Sequence, residues 1–371
     1  MNTHMLRSAV VLLAALLWQT VACGADYIRY AAAGDEEAAA ADANGKTTAN
    51  GCVSCDPQAC GDPCGNACGG CGTGCGGRNC GCPDCDECPR IGVVGLLGFD
   101  SFRGVSDGDY QSNFGLVTGA NLGIPVPVLN EMGLGWQLGA TYGIYDWEGR
   151  TTANRSDTQQ QTFVTTGIFR KGFDGRRLSF GLVYDWMANS NWGYQAVAPT
   201  LGQWRGQAEY AMSNCNALGV MGTLWDRQSL QTLPNVTVLN RPVNQLAFFW
   251  HHKFAKGADS RLWFGFFPDN LRLNGDGSLY DTGFGGDLTV PLTSRLALYA
   301  NFQYVHPSAA AGSAGSIENS YNVGMGLVFY PGRNARSRNI NGGCWMPYMP
   351  VANNSTFLVD QSITAVTQPV H

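Results

Sequence analysis

GLGWQLGATYGIYD, Gly133–Asp146, repeats at every second residue. Leu134, Trp136, Leu138, Ala140, Tyr142 and Ile144 fall on one parity; Gly135, Gln137, Gly139, Thr141 and Gly143 fall on the other. A helix, with its period of about 3.6, cannot gather six apolar residues spaced by two onto one face. A β-strand does so, because successive side chains point to opposite sides. The segment reads as a strand with one apolar face and one small or polar face.

The pattern recurs along the chain. In SFGLVYDW, Phe180, Leu182, Tyr184 and Trp186 oppose Ser179, Gly181, Val183 and Asp185. In QWRGQAEYAM, Trp204, Ala208, Tyr210 and Met212 oppose Gln203, Arg205, Gln207 and Glu209. RLALYANFQY (295–304) and YNVGMGLVF (321–329) behave alike, and turn signals such as SDGD, FDGR and NGDG separate the runs. The spacing predicts about twelve strands, near 91–103, 113–124, 133–146, 161–170, 178–187, 202–212, 216–226, 243–254, 260–267, 280–290, 294–305 and 320–330. Most are near ten residues, the length of a strand tilted across a bilayer (about 9–11), whereas soluble strands average about 5–6. Only 14% of the chain is charged, against about 25% for an average soluble protein. The expected fold is all-β: an antiparallel transmembrane β-barrel over 91–330, with lipid as its partner. A soluble sandwich or lipocalin-like barrel is the alternative. Aromatic residues near strand ends (Tyr145 with Trp147, Trp186 with Trp192, Trp250, Tyr304, Tyr330) are expected to form an interfacial girdle.

FDSFRGVSDGDYQSNFG, NLGIPVPV, GLGWQLGATYGIYDW, TTGIFRK, FGLVYDWM and QWRGQAEY, in that order, resemble an uncharacterised family of planctomycete outer-membrane-type β-barrel proteins. Several of those also carry Gly/Cys-rich N-terminal stretches. The resemblance covers roughly residues 91–330 and implies a compartment and a fold, and no chemistry.

Ahead of the strands, Ala9–Trp18 is a ten-residue apolar run behind Arg7, followed by small residues in TVACGA. This is the layout of a secretory signal over 1–25, too short for a spanning helix of about 20 residues. Cleavage fits after Ala22 or Ala25. Lipidation of Cys23 is an alternative, although Thr20 stands where a lipobox has an aliphatic residue. Residues 26–51 form an acidic low-complexity spacer. Residues 52–90 hold eleven cysteines: Cys52, Cys55, Cys60, Cys64, Cys68, Cys71, Cys75, Cys80, Cys82, Cys85 and Cys88. Several C-x2-C pairs raise a zinc reading, but the intervening gaps are short, there is no histidine, and only Val53, Ala59 and Ala67 are apolar. CPDCDECP departs from the ferredoxin run, with proline directly after its third cysteine. In an exported chain a disulfide mesh is the better reading, and an odd count leaves one thiol free, paired with Cys215 or Cys344, or bridged to another chain. The extension is read as a disordered, cross-linkable tether. No metal or cofactor is expected.

Residues 26–90 carry a net charge of −6, whereas 91–371 hold eighteen acidic and eighteen basic residues. No basic patch recommends nucleic acid. His251 and His252 are adjacent and face opposite sides of a strand, so they do not share a ligand. Asp107, Asp109, Asp276 and Asp281 lie in or beside Gly-rich turns and read as solvated carboxylates rather than a calcium site. No Ser–His pairing marks a hydrolase, and no enzyme is expected. Asp185, Arg205, Glu209 and Arg295 are the candidate pore-lining charges, which would either bias solutes or pair with one another in a plugged barrel. The leading functional expectation is passive passage of small polar solutes; the rival is a structural envelope protein bearing a disulfide-linked extension. Residues 331–371 are either disordered or folded into the lumen.

A closed, lipid-embedded barrel should give a heat-modifiable band from the outer-membrane fraction on gels run unheated and boiled. Release into the soluble fraction without detergent would contradict the membrane reading.

Overall fold

The computed structural model describes residues 91–365 except 108–111, 128, 130–131, 147–150, 153–154, 157, 173–176, 214, 255–256, 270–279, 308–319, 332–334 and 336–344. The expected signal, spacer and cysteine segments lie outside the described residues, as do Trp147, Asp109 and Asp276. In chain order the strands are β1 (Gly92–Arg103), β2 (Asn113–Pro125), β3 (Leu134–Tyr145), β4 (Thr151–Thr152), β5 (Arg155–Ser156), β6 (Gln159–Arg170), β7 (Leu178–Ser190), β8 (Thr200–Ala211), β9 (Asn216–Arg227), β10 (Ser229–Thr232), β11 (Val236–Pro242), β12 (Asn244–Lys253), β13 (Asp259–Asp269), β14 (Tyr280–Pro291), β15 (Leu296–Pro307), β16 (Ser320–Phe329) and β17 (Val359–Ala365).

Twelve of these close an antiparallel barrel, β1-β16-β15-β14-β13-β12-β9-β8-β7-β6-β3-β2. They match the twelve expected segments to within three residues at each end. The seam pairs β1 with β16 from Gly95↔Phe329 to Arg103↔Tyr321. At Gly98 a Cβ would lie 2.6 Å from the Met325 carbonyl oxygen and 2.9 Å from the Cα of Gly326. Paired glycines let the two backbones approach there.

The parity read from the sequence decides which face is which. Leu97, Phe99, Phe248 and Met325 point outward and are about half exposed, while Gln137, Gln161, Gln203 and Asp185 point inward at 0%. A soluble fold would invert this. Apolar surface left in water costs about 25 cal/mol per Å², and a belt around the whole barrel is far beyond the patch a soluble monomer exposes. Lipid is the solvent that removes the cost.

The girdle divides. Trp186 is exposed and Trp250 donates its indole N–H to Asn216 Oδ1 (3.1 Å). Tyr145 and Trp192, by contrast, are buried. Tyr145 has inward parity and stacks edge-on against Phe102; Trp192 joins an inner cluster with Phe163, Met187, Leu201 and Val238. Tyr330, just past β16, borders the lumen cavity described below.

Connections at one rim are four to eight residues long and at the other nine to sixteen. β1 begins and β16 ends at the short-connection rim. The long rim carries a β4–β5 hairpin and a three-stranded sheet, β10-β11-β17, none of which the alternation had marked. It also carries a short 3-10 turn, Val105–Asp107. Tyr194 N–H donates to Ser106 O (2.7 Å), and Gly104 N–H to Asp107 Oδ2 (2.8 Å). Asp107 is therefore buried rather than solvated as the sequence suggested.

Burial pushes the Asp107 carboxyl up from 3.8 to about 7, against the pull of hydrogen bonds from Asn113 and Gly104. The folded state holds this proton to higher pH than the unfolded one. Its contribution is complete below about pH 4 and is lost as pH rises through about 7. Amide exchange over residues 104–107 should accelerate from about pH 5 to pH 8 beyond the intrinsic rate, and Asp107→Asn should flatten the difference. Equal protection of the unaltered turn at both pH values would contradict this.

Candidate functional site: the plugged lumen

About eight strands make a barrel whose side chains just fill it; twelve leave room. Here the chain's own C-terminal segment occupies part of that room. Trp345 and Met346 run against Gly92, and Trp345 also meets Gly123, at the short-connection rim. Val351 meets Gly139, and Met349 and Tyr348 cover Gly181. Beyond the barrel, Val243 N–H donates to Leu358 O (2.9 Å) and β17 adds to β11. The tail thus runs from one mouth to the other, which selects the lumen alternative for residues 345–358, with 359–365 in the sheet beyond the far mouth.

Inward polar residues hold it as a sheet neighbour would. Gln137 brackets Met349, accepting from its N–H (3.1 Å) and donating to its carbonyl (3.0 Å), and Asn121 donates to the same carbonyl (2.9 Å). Thr165 Oγ1 accepts from Ala352 N–H (2.9 Å), and Gln203 donates to Thr356 O (2.9 Å). Then the tail crosses the lumen. Asn354 Nδ2 donates to Asp100 Oδ2 (2.9 Å) and Gln161 Oε1 (3.0 Å); Ser355 bonds Asn322 and accepts from Asn301 (2.6 Å).

Asp185, Arg205 and Glu209 all lie on the inner wall. Arg205 grips Asp185 with two bonds, Nε–Oδ2 at 2.7 Å and Nη2–Oδ1 at 3.1 Å, and donates a third to Pro350 O (2.8 Å). Thr165 also donates to Asp185 (2.7 Å). Glu209 belongs to a separate group: His251 sits between Glu209 (Nδ1–Oε2, 2.9 Å) and Asp259 (Nε2–Oδ1, 2.8 Å). Lys253 Nζ is 3.6 Å from Asp259 Oδ2, and Arg261 Nε is 2.9 Å from Asp287 Oδ2. Arg295 stands apart, exposed in the turn between β14 and β15. His252 faces outward, its Nδ1 2.9 Å from Asn216 Oδ1. Among the described residues no group of three or more His, Cys, Asp or Glu is placed to hold a metal ion. Cys215 lies in the β8–β9 turn, and the chain's other cysteines are outside the described residues.

The tail's hydrogen bonds go to β2, β3, β6 and β8 before it crosses. Beside it the lumen holds a cavity of ≈ 350 Å³, lined by β1, β2, β3, β6, β15 and β16 and, opposite, by β8, β12, β13 and β14. Asn353 and Asn354 line it as well, where the tail crosses.

The sequence marked the inward polar parity but not its partner. The available signal was the glycines on that parity: Gly92, Gly123, Gly139 and Gly181 each leave space that tail atoms occupy. Removing one partner of a buried ion pair costs about 3–5 kcal/mol. Asp185→Ala should therefore lower the stability of the folded barrel by about that much, read as the denaturant midpoint of heat-modifiability. Asp185→Asn, which keeps the hydrogen-bonding shape, should lose less. An unchanged midpoint in Asp185→Ala would show that Arg205 finds solvent.

Residues 91–359 match a family of unknown function (DUF6666). No curated protein matches the chain. Among solved structures, outer membrane phospholipase A from Escherichia coli is similar at 10% identity, covering 64% of this chain and 92% of that one, TM-score 0.38. The KdgM porin in complex with disordered oligogalacturonate is similar at 8% identity (64% and 98%, TM-score 0.37). The TodX monoaromatic hydrocarbon channel deltaS2 mutant is similar at 9% (65% and 89%, TM-score 0.38). These likenesses extend to the barrel fold and no further.

Proposed function

We propose that this chain, which belongs to DUF6666, a family of unknown function, is an outer-membrane barrel closed by its own C-terminal segment. In this reading it anchors the N-terminal extension to the envelope and passes no solute. The carrying observation is the crossing at Asn353–Thr356, bonded to Asp100, Gln161, Gln203, Asn301 and Asn322 on five strands. The passage of small polar solutes expected from the alternating strands would require that crossing to leave the lumen.

The apolar belt supports lipid as the surrounding medium, and the signal layout of residues 1–25 supports export into an envelope of the planctomycete type that the resemblance implies. Outer-membrane barrels carry short turns on the periplasmic side and long loops outside. On that rule the chain enters β1 from the periplasm, so residues 26–90 belong there, and β17 belongs to the outer surface. The eleven cysteines then stand where disulfides to neighbouring envelope chains form. Both ring nitrogens of His251 face carboxylates, which favours a structural over a catalytic role.

Reconstituted in planar bilayers, the full chain should give no steady conductance, with a heat-modifiable band from the same preparation as proof of folding. Stable ohmic pores from that preparation would overturn the closed-barrel reading.

A further inference from the structure

We propose that the part of the lumen left open beside the tail is a binding cavity for a small uncharged amphiphile. The cavity has two unlike walls. Val94, Leu96, Val117 and Val328, with Met346 of the tail, make an aliphatic side; Glu209, His251, Lys253, Asp259, Arg261 and Asp287 make a polar one. Its ≈ 350 Å³ falls within the range of small-molecule sites, about 300–1,000 Å³.

The aliphatic side sets the first requirement. A water-filled lumen gains nothing from valine and leucine on its inner parity, whereas an alkyl body covers them and leaves water. The charges set the second. Each ionisable side chain of the polar wall is already held by another: Glu209 and Asp259 on His251 (2.9 and 2.8 Å), Lys253 on Asp259 (3.6 Å), and Arg261 on Asp287 (2.9 Å). Lys171, which also lines the cavity, has a partner of its own, and Asp100 is held by Asn322, Asn354 and Tyr145. A carboxylate or ammonium ligand would have to open one of these pairs, or displace the neutral donors that hold Asp100, before its own charge was compensated. A hydroxyl would not, because each carboxylate oxygen accepts more than one hydrogen bond.

The third point is that the barrel does not use this wall to hold its plug. The tail's bonds come from Asn121, Gln137, Thr165, Gln203 and Arg205, then Asp100, Gln161, Asn301 and Asn322. The exception is Tyr348, whose hydroxyl accepts from Gln207 (3.2 Å) and bonds Glu209. The ionic network otherwise faces open space. Gly257, Tyr330 and Ala335 border the cavity at the short-connection rim.

The test uses the full chain in lipid nanodiscs and three probes with one alkyl body: hexanol, hexanoate and hexylamine. Saturation-transfer NMR should show protein contact with hexanol and binding weaker by about a hundredfold or more for either ion, the factor expected where a buried pair must open. Val117→Trp fills the aliphatic side and should abolish the hexanol signal; Leu96→Trp serves the same purpose, and a heat-modifiable band checks that each variant folds. Asp287→Asn frees Arg261 and should shift the preference toward hexanoate. Equal hexanol signals from the unaltered and filled proteins would place the alcohol in the bilayer and overturn the site. Tighter binding of either ion by the unaltered protein would overturn the uncharged class.

Discussion

A sheet in hydrocarbon has no water to satisfy an open edge, and each unsatisfied backbone group costs several kcal/mol. The pairing of β1 with β16 is therefore the contact on which the rest of this molecule depends. Everything between the two strands is antiparallel and nearest-neighbour, apart from the insertions β4–β5 and β10–β11. Among the strand pairings the seam alone joins residues more than two hundred positions apart. It places Gly98 opposite Gly326, and the absence of side chains at that pair lets the backbones meet. Closure also fixes which face is inside, because one residue of slip would send every polar side chain into lipid.

Closure at twelve strands creates a second demand. The inner wall carries Asn121, Gln137, Gln161, Thr165, Asp185, Gln203, Arg205 and Asn322, all nearly inaccessible to solvent. A buried polar group without a partner costs about 1–3 kcal/mol, so such a wall needs either water or another chain. The tail answers as a chain. Residues 345–358 have little regular structure of their own, so several of their backbone groups are satisfied by side chains of the wall. Wall and tail are each incomplete alone, and the ion pair of Asp185 with Arg205 reaches both through Thr165 and Pro350.

This interdependence explains what could be read in the sequence. Alternation is local, so Gln137 and Leu138 announce opposite faces within one strand, and the twelve strands and their orientation follow. The tail is fixed by contacts with residues some 140 to 250 positions away, such as Arg205 with Pro350 and Asp100 with Asn354, and a segment without periodicity carries no mark of its place. β10 and β11 escaped notice because they pair outside the barrel. Arg295 shared the right parity but falls past the end of β14, in the turn, where parity has no meaning. Tyr145 was legible in retrospect: grouped with girdle residues as an aromatic at a strand end, it belongs by position to the inward set of Gly143 and Thr141. For the charged wall, the sequence contained Glu209, His251, Asp259 and Arg261, but only the sheet order β8-β9-β12-β13-β14 brings them together.

The path of the tail also restricts how the molecule can assemble. Seven residues, Val359 to Ala365, pair with β11 on the far side of the barrel from the rim where β16 ends. The plug is latched at the mouth opposite its entry, so pulling from the entry side would have to unzip that pairing and draw β17 back through the lumen. Either residues 345–365 lie across the sheet before β1 meets β16, or they pass end-first through a barrel already closed. The first order costs only the loop closure already implied by the topology. The second requires the wall's hydrogen bonds to form and break along the whole length of the passage. If the seam closes around a tail already in place, barrel and plug form as one folding event, because each supplies the other's hydrogen-bond partners.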